Sequence, residues 1–296
     1  MKIFDCFMYC DEDLILDLRL NYLDQYVDKF IIVESTYTHS GASRKLNFDI
    51  NKYSKFKNKI KYILLDEPPK ELMELSEKDS EHEQNSKYIL NAVKRENLQR
   101  NTIIKGIDDA SPDDFIIISD VDEIPDLERN NIKETKNKII LFKQVFFYYK
   151  FNLKLNNYPW HGSKACKKKD LISPQWLRNV KDKKYSMWRI DTLISNKKYQ
   201  NIKIINNGGW HFSNIKSPAG IEKKMKTYLH HREYDLNPVG EKRISEIIKE
   251  RKPIYNLKND MKSNKFDLSD QLAVADITEL PYYIQKNIDK YKDWLS

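Results

Sequence analysis

The sequence predicts an α/β protein built on a mostly parallel, doubly wound sheet, and three observations carry that expectation. Short apolar runs alternate with stretches of helical period through the first 125 residues. The last of those runs, Phe115-Ile116-Ile117-Ile118, ends abruptly in Asp120-Val121-Asp122-Glu123 and then Ile124-Pro125. Beyond residue 130 the chain turns aromatic-rich, then helical. Strand–helix–strand alternation argues for parallel pairing, because parallel neighbours need a crossover.

Taken in order, Lys2 to Tyr9 is expected as a strand and Asp11 to Tyr22 as a helix. Leu14, Leu18 and Tyr22 lie on one face of that helix, with acidic residues at its start. Phe30 to Val33 is a short buried strand that ends at Glu34-Ser35, and Ile60 to Leu65 is a third, stopped by Pro68-Pro69. Residues 66–86 are polar and acidic and read as a surface loop before a long helix over Asn85 to Ile107. Phe115 to Ser119 is the fourth strand. Ile139 to Phe142 and Val145 to Tyr149 suggest a smaller, antiparallel part, and helices are expected over Ala219 to His231, Glu241 to Arg251 and Tyr282 to Trp294.

The acidic turn is the most informative motif. Three carboxylates in four residues repel one another unless a cation lies between them, and hard oxygen ligands suit Mg²⁺ or Mn²⁺, which bind diphosphates well. In open α/β sheets ligands collect at the carboxyl ends of strands. The plainer alternative is an acidic turn that solvates a loop. There is no G-x-G-x-x-G and no Walker A motif, which disfavours a dinucleotide oxidoreductase or a P-loop NTPase.

Composition sets further bounds. With 296 residues, 40% apolar and 18 tyrosines, the chain is long and apolar enough for a large core. No apolar run reaches the length of a membrane span, and the N-terminus meets Asp5 too soon for a signal peptide. Three cysteines without zinc spacing fit a reduced, cytoplasmic setting. The net charge of +8 conceals an asymmetry: residues 1–130 carry 18 basic and 27 acidic side chains, residues 131–296 carry 34 and 17. A basic half can mean an anionic partner, but the lysines are scattered, and runs such as Lys167-Lys168-Lys169 read as solvated loops.

Other clusters admit two readings each. In Gly208-Gly209-Trp210-His211 the His can complete metal coordination begun by carboxylates, or sit hydrogen-bonded in the core. Arg95-Glu96-Asn97-Leu98-Gln99-Arg100-Asn101 is either an ion-paired helix surface or part of a nucleotide site. Tyr158-Pro159-Trp160-His161-Gly162 offers aromatic faces to a sugar or to the core.

Taken together and in order, several stretches resemble family 17 glycosyltransferases, the β-1,4-mannosyl-glycoprotein β-1,4-N-acetylglucosaminyltransferases and their bacterial and viral relatives. They are Phe4-Asp5-Cys6-Phe7 with Glu12-Asp13-Leu14, then Val27 to Ser35, Arg95-Glu96-Asn97 and Gln99-Arg100-Asn101, Ile118 to Pro125, and Gly208 to Ser213, covering roughly residues 3 to 230. The resemblance implies a GT-A-like fold, inversion at the anomeric carbon and a UDP-sugar donor such as UDP-N-acetylglucosamine. It divides the chain into a GT-A-like domain over 1–230, with a nucleotide-binding half (1–125) and an acceptor half (126–230), and a helical extension over 231–296 packed on it.

On this reading Asp120 and Asp122 hold Mn²⁺ or Mg²⁺ with His211. Glu34, Ser35, Arg95, Glu96, Arg100, Ser119 and Asp120 line the donor pocket, and Trp160, His161 and Trp210 meet the acceptor. A carboxylate must deprotonate the acceptor hydroxyl. Asp170, Asp182 and Asp191 lie in the expected interval, with Glu123 and Glu222 as further candidates, and Asp191 looks the most strand-bound. Read as lacking the anchor and stem of the animal enzymes, the chain is expected to use a microbial or viral polysaccharide, lipid-linked sugar or other glycan. No nucleic-acid partner is expected, peripheral membrane contact stays open, and the sequence leaves the oligomeric state undecided. The competing classes are a non-catalytic carbohydrate-binding protein and a metal-dependent nuclease or nucleotidyltransferase, which should bind nucleic acid in a steeply salt-dependent way.

Overall fold

A computed structural model describes residues 1–182, 201–228, 231–254 and 271–296. The fold is mixed α/β with two sheets. The larger begins with β1 (Ile3–Tyr9), β2 (Lys29–Ser35), β3 (Ile60–Leu65) and β4 (Phe115–Asp120), all parallel, connected through α1 (Asp13–Leu23) and α2 (Glu81–Asn101). It continues through β9 (Lys164–Lys167), antiparallel to both neighbours, to β6 (Ile139–Phe142) and β10 (Ile202–Ile205). The seven strands run in the order β10-β6-β9-β4-β1-β2-β3.

The apolar runs are uninterrupted because this sheet is covered on both faces. Ile3, Phe7, Phe30, Ile32, Phe115 and Ile117 share one core with Leu16 and Leu20 of α1. Phe4, Cys6, Ile31, Val33, Ile116 and Ile118 face the other way, against Ile103 and Ile107. The long helix starts earlier than its apolar pattern suggests. Ser80 caps it, accepting from the Glu83 backbone N–H while the Glu83 carboxylate accepts from the Ser80 N–H, so the expected loop ends at Asp79. The α-helix gives way to a 3-10 turn at Thr102–Gly106.

The smaller sheet has the order β12-β8-β7-β11-β5, formed by β5 (Glu123–Pro125), β7 (Val145–Tyr148), β8 (Leu153–Lys154), β11 (Gly209–Ser213) and β12 (Ala273–Val274). Of the two runs expected to form an antiparallel part, Val145–Tyr148 lies here while Ile139–Phe142 joins the larger sheet. The pairings are antiparallel except for β7 against β11, which run parallel. Its outer face packs on α4 (Pro218–Thr227) and α6 (Glu241–Lys249), with α5 (His231–Leu236) between them in sequence. The tail is helical only in part. It supplies β12, then breaks into α7 (Tyr282–Lys286), α8 (Ile288–Tyr291) and a 3-10 turn, where one continuous helix was expected. Ile284 and Tyr291 join the same core as Ile3, and the Tyr291 hydroxyl reaches Asp17 of α1 at 3.1 Å. No helix among the described residues is long and apolar enough to cross a membrane.

The two sheets meet where β4 stops and β5 begins. Pro125 reads in the sequence as the stop of the fourth strand, but that strand breaks at Asp120, and Pro125 closes β5 instead. A fully buried Arg19 makes the break. Its guanidinium pairs with Asp5 at 2.6 and 2.7 Å and donates to the carbonyls of Asp120, Val121 and Glu123 at 3.1, 3.2 and 2.7 Å. Gly209 then lets β11 approach. Its φ is +130°, and a Cβ there would lie 2.1 Å from the Ile124 carbonyl oxygen.

Arg19→Met is expected to destabilise the protein by about 3–5 kcal/mol, because it strands Asp5 as an uncompensated buried charge. Urea unfolding followed by circular dichroism reads this as a fall in midpoint at constant slope. Adding Asp5→Leu should recover part of the loss. A single variant as stable as the parent would show that the clamp contributes nothing.

Candidate functional site

The β1 and β4 strands adjoin, but the chain leaves β1 toward β2 and reaches β4 from the far edge through α2. Such a divergence is a topological switch point, and in open α/β sheets the crevice outside the carboxyl ends of the strands there, here β1 and β4, is where ligands gather. The acidic turn stands at its mouth.

Asp120 is held by two arginines. Arg100, buried in α2, donates to Oδ1 at 2.9 Å, and Arg178 of α3 (Pro174–Asn179) donates to Oδ2 at 2.8 Å. Burial opposes ionisation of Asp120, yet Arg178 and then Arg100 outweigh it and keep the carboxyl well below its ordinary range. Arg100 also binds Glu96 at 2.8 Å and Gln175 at 2.5 Å. Glu123 is wholly buried and serves as the hub. Its two oxygens accept from Arg178 at 2.7 Å each, from the Trp160 indole N–H at 2.6 Å and from the Asp120 backbone N–H at 2.8 Å. Gly162 makes room, since a Cβ there would lie 2.4 Å from the Glu123 carboxyl carbon.

Asp122 divides its oxygens between two other partners. Oδ1 lies 3.6 Å from His211 Nε2, and Oδ2 lies 3.6 Å from the ammonium of Lys224 on α4. Burial opposes the charge, but Lys224 and then His211 hold the carboxyl down at about 2. The imidazole is buried, packs on Phe146 at 4.5 Å and on Trp160 at 5.0 Å, and leaves Nδ1 without a hydrogen-bond partner.

These two residues fit a divalent cation. Ligands that each sit about 2.1 Å from a shared ion stand about 3.0–3.6 Å apart for angles of about 90–120°, and the Asp122–His211 separation is at the upper end of that range. A carboxylate oxygen with an imidazole nitrogen suits Mn²⁺. Among the described residues, no group of three or more His, Cys, Asp or Glu could hold a metal. Asp120 turns its oxygens to arginines, so a cation held by Asp122 and His211 would complete its shell with water or a bound ligand.

Of the residues singled out by sequence, Glu96, Arg100, Asp120, Asp122, Trp160 and His211 come together here. His161 lies beside them, its Nδ1 3.0 Å from Asp182. Arg95 sits further out, donating to the His39 carbonyl at 3.1 Å and covering Gly41. Glu34, Ser35, Ser119 and Trp210 have other work. Glu34 is fully buried and accepts from Arg44, from the Asn47 and Phe48 backbone and from Tyr62, so it anchors the loop after β2. The Ser35 hydroxyl accepts from the Tyr37 N–H. Ser119 donates to Ser163 inside the sheet. Trp210 points to the face of β11 opposite His211, into the core, with its indole N–H on the Glu279 carbonyl and its ring against Tyr22. Glu222 pairs with Lys226 on α4, Asp170 ends a 3-10 turn, and Asp191 lies outside the described residues.

Sequence reasoning missed Arg19, Arg178, Lys224, Lys164 and His39. His39 binds Gln99 at 3.0 Å, and burial pushes its pKa down. The one signal that could have found the cations was the charge asymmetry: Arg178, Lys216 and Lys224 of the basic half pair with Asp120, Asp11 and Asp122 of the acidic half. The Lys167-Lys168-Lys169 run is likewise partnered, through Asp113 and the Asp108 and Ala110 carbonyls.

The model of glycosyltransferase family 17 matches residues 1–296. No curated protein matches the chain. Among solved structures, HddC from Yersinia pseudotuberculosis aligns at 13% identity over 72% of this chain and 91% of that one, with a TM-score of 0.33. The same protein complexed with GMP-PN aligns at 14% identity over 70% and 90%, with a TM-score of 0.30. Likenesses at those scores carry no argument about function.

The depressed Asp122 carboxyl has a pH consequence. A carboxyl whose folded pKa lies below its unfolded value stabilises the fold above the unfolded value, and that contribution vanishes as pH falls through the folded one. Asp122 should therefore contribute about 2 kcal/mol that is lost between about pH 4 and 2. Urea titrations across that window should give a flatter stability curve for Asp122→Asn than for the parent. Parallel curves would mean that Lys224 and His211 do not hold the charge.

Proposed function

The chain belongs to glycosyltransferase family 17, and from that premise we propose a metal-dependent, inverting transfer of a sugar, N-acetylglucosamine foremost, from a UDP-sugar to a glycan hydroxyl on a GT-A-like scaffold. The observation that carries this reading is the ring of Arg100, Arg178, Lys224 and His211 around Asp120 and Asp122 at the strand-end crevice.

Asp122 and His211 would hold Mn²⁺ or Mg²⁺, which when bound supplies charge neutralisation to a leaving diphosphate. The chain's own groups do the rest. Arg178 stays protonated, since burial is outweighed by Asp120 and Glu123, and it adds fixed positive charge where negative charge grows. Arg100 does the same from α2. Glu123 acts on position, holding Arg178 and the Trp160 indole in one arrangement and leaving the Trp160 ring as a platform for an acceptor sugar. Inversion needs a carboxylate base on the acceptor side, a role we assign to Asp191. The acceptor is a polysaccharide, lipid-linked sugar or other glycan. The three free cysteines, Cys6, Cys10 and Cys166, favour a reduced, cytoplasmic setting.

Thermal unfolding with UDP, GDP or ADP, each with Mn²⁺ or with EDTA, tests the reading. UDP with Mn²⁺ at about a hundredfold over its Kd should raise Tm by roughly 5 °C. That shift should disappear with EDTA and in Asp122→Ala. A folded protein whose Tm ignores every nucleotide would sink the proposal.

A further inference from the structure

Next to the acidic turn lies an open cleft of about 380 Å³ lined by Tyr158, Pro159, Trp160, His161, Lys164 and Arg178, large enough for a small ligand. Part of its wall is aromatic. The Tyr158 and Trp160 rings stack with centroids 6.3 Å apart and planes at 27°, and the Glu123 carboxylate fixes the Trp160 indole. The rest, apart from Pro159, is nitrogen: an imidazole, an ammonium and a guanidinium. No carboxylate is among the described residues that line it. The nearest acids are already engaged, Glu123 by Arg178 and Trp160, and Asp182 by His161.

Lys164 is the unusual member. It is only 7% exposed, and its ammonium donates to the carbonyls of Arg178 and Val180 at 2.5 and 2.6 Å, which uses two of its three N–H donors. Burial, with Arg178 adding to it, pushes its pKa down to about 8. A buried cation beside a second one is costly unless an anion offsets it.

We propose that this cleft is the acceptor subsite and that it selects a sugar carrying an anionic group, carboxylate or phosphate, with the ring on Trp160 and the anion at the Lys164 ammonium. The inference rests on the transferase reading and narrows it from any glycan to an acidic one. An aromatic face binds the apolar side of a pyranose, while a charge-assisted hydrogen bond from an ammonium discriminates an anionic substituent from a hydroxymethyl group.

Calorimetric titration of the protein, saturated with UDP and Mn²⁺, is the test. The probes are methyl β-D-glucuronide, glucose 6-phosphate and methyl β-D-glucoside, which share a ring and differ in charge. At least one acidic sugar should bind about tenfold or more tightly than the neutral one, and the preferred probe identifies carboxylate or phosphate as the group read. The preference should shrink as salt rises and vanish in Lys164→Met while the UDP-driven thermal shift persists. Should that variant not fold, the salt dependence of the parent decides. Equal affinities, or no binding of any probe, would overturn the proposal while leaving the UDP result intact. Acidic sugars that bind only without UDP would give the cleft to the donor diphosphate and overturn it too. Acidic-sugar binding in a protein that ignores UDP would remove the acceptor role along with the transferase reading.

Discussion

The buried guanidinium of Arg19 holds two things at once: the Asp5 carboxylate inside β1, and three backbone carbonyls of the turn that follows β4. Planar, permanently charged and rich in donors, arginine is the side chain able to do both. With the guanidinium and the Asp5 carboxylate both out of contact with water, their geometry is fixed by the pairing itself. The turn carbonyls therefore point inward, and the carboxylates of Asp120 and Asp122 stand in the crevice. Everything else at the site is arranged around a turn already set from behind.

From the front, the turn is balanced by cations drawn from distant parts of the chain. Asp120 takes Arg100 and Arg178, and Asp122 takes Lys224. The acidic first half and basic second half are thus two sides of one electrostatic interface. Buried carboxylates would otherwise be protonated or would disrupt the fold. Glu123 joins the two sides, since its oxygens hold Arg178 and Trp160 while its backbone continues into the second sheet.

Much of the scaffold was legible from residue pattern because the parallel strands are buried on both faces and read as unbroken apolar runs. The acidic turn was legible for a related reason: a buried strand that ends in clustered carboxylates has few other uses. Partner identity was harder to read. Glu34-Ser35 and Asp120 look alike, polar residues closing apolar strands, yet Glu34 turns inward to tie down a loop. Side-chain direction at a strand end depends on tertiary contacts that no local pattern encodes. The alternation rule did bear on Trp210 and His211. Adjacent residues in a strand face opposite ways, so only one of the pair could look into the crevice. Arg178 had no such clue, because its short helix is an ordinary stretch of a lysine-rich segment.

The distance along the chain between the acidic turn and Lys224 has a consequence for biosynthesis. A ribosome adding about 5–20 residues per second takes about 5–20 s to cover the roughly 100 residues between them. Through that interval the turn has Arg19 and Arg100 but lacks the partners that neutralise Asp122. The nascent first half is then an acidic, incomplete domain whose last strand cannot join the second sheet until β11 is made. Closure of this site therefore waits for β11 and Lys224 to be made, and contacts of such long range are the slow ones to form.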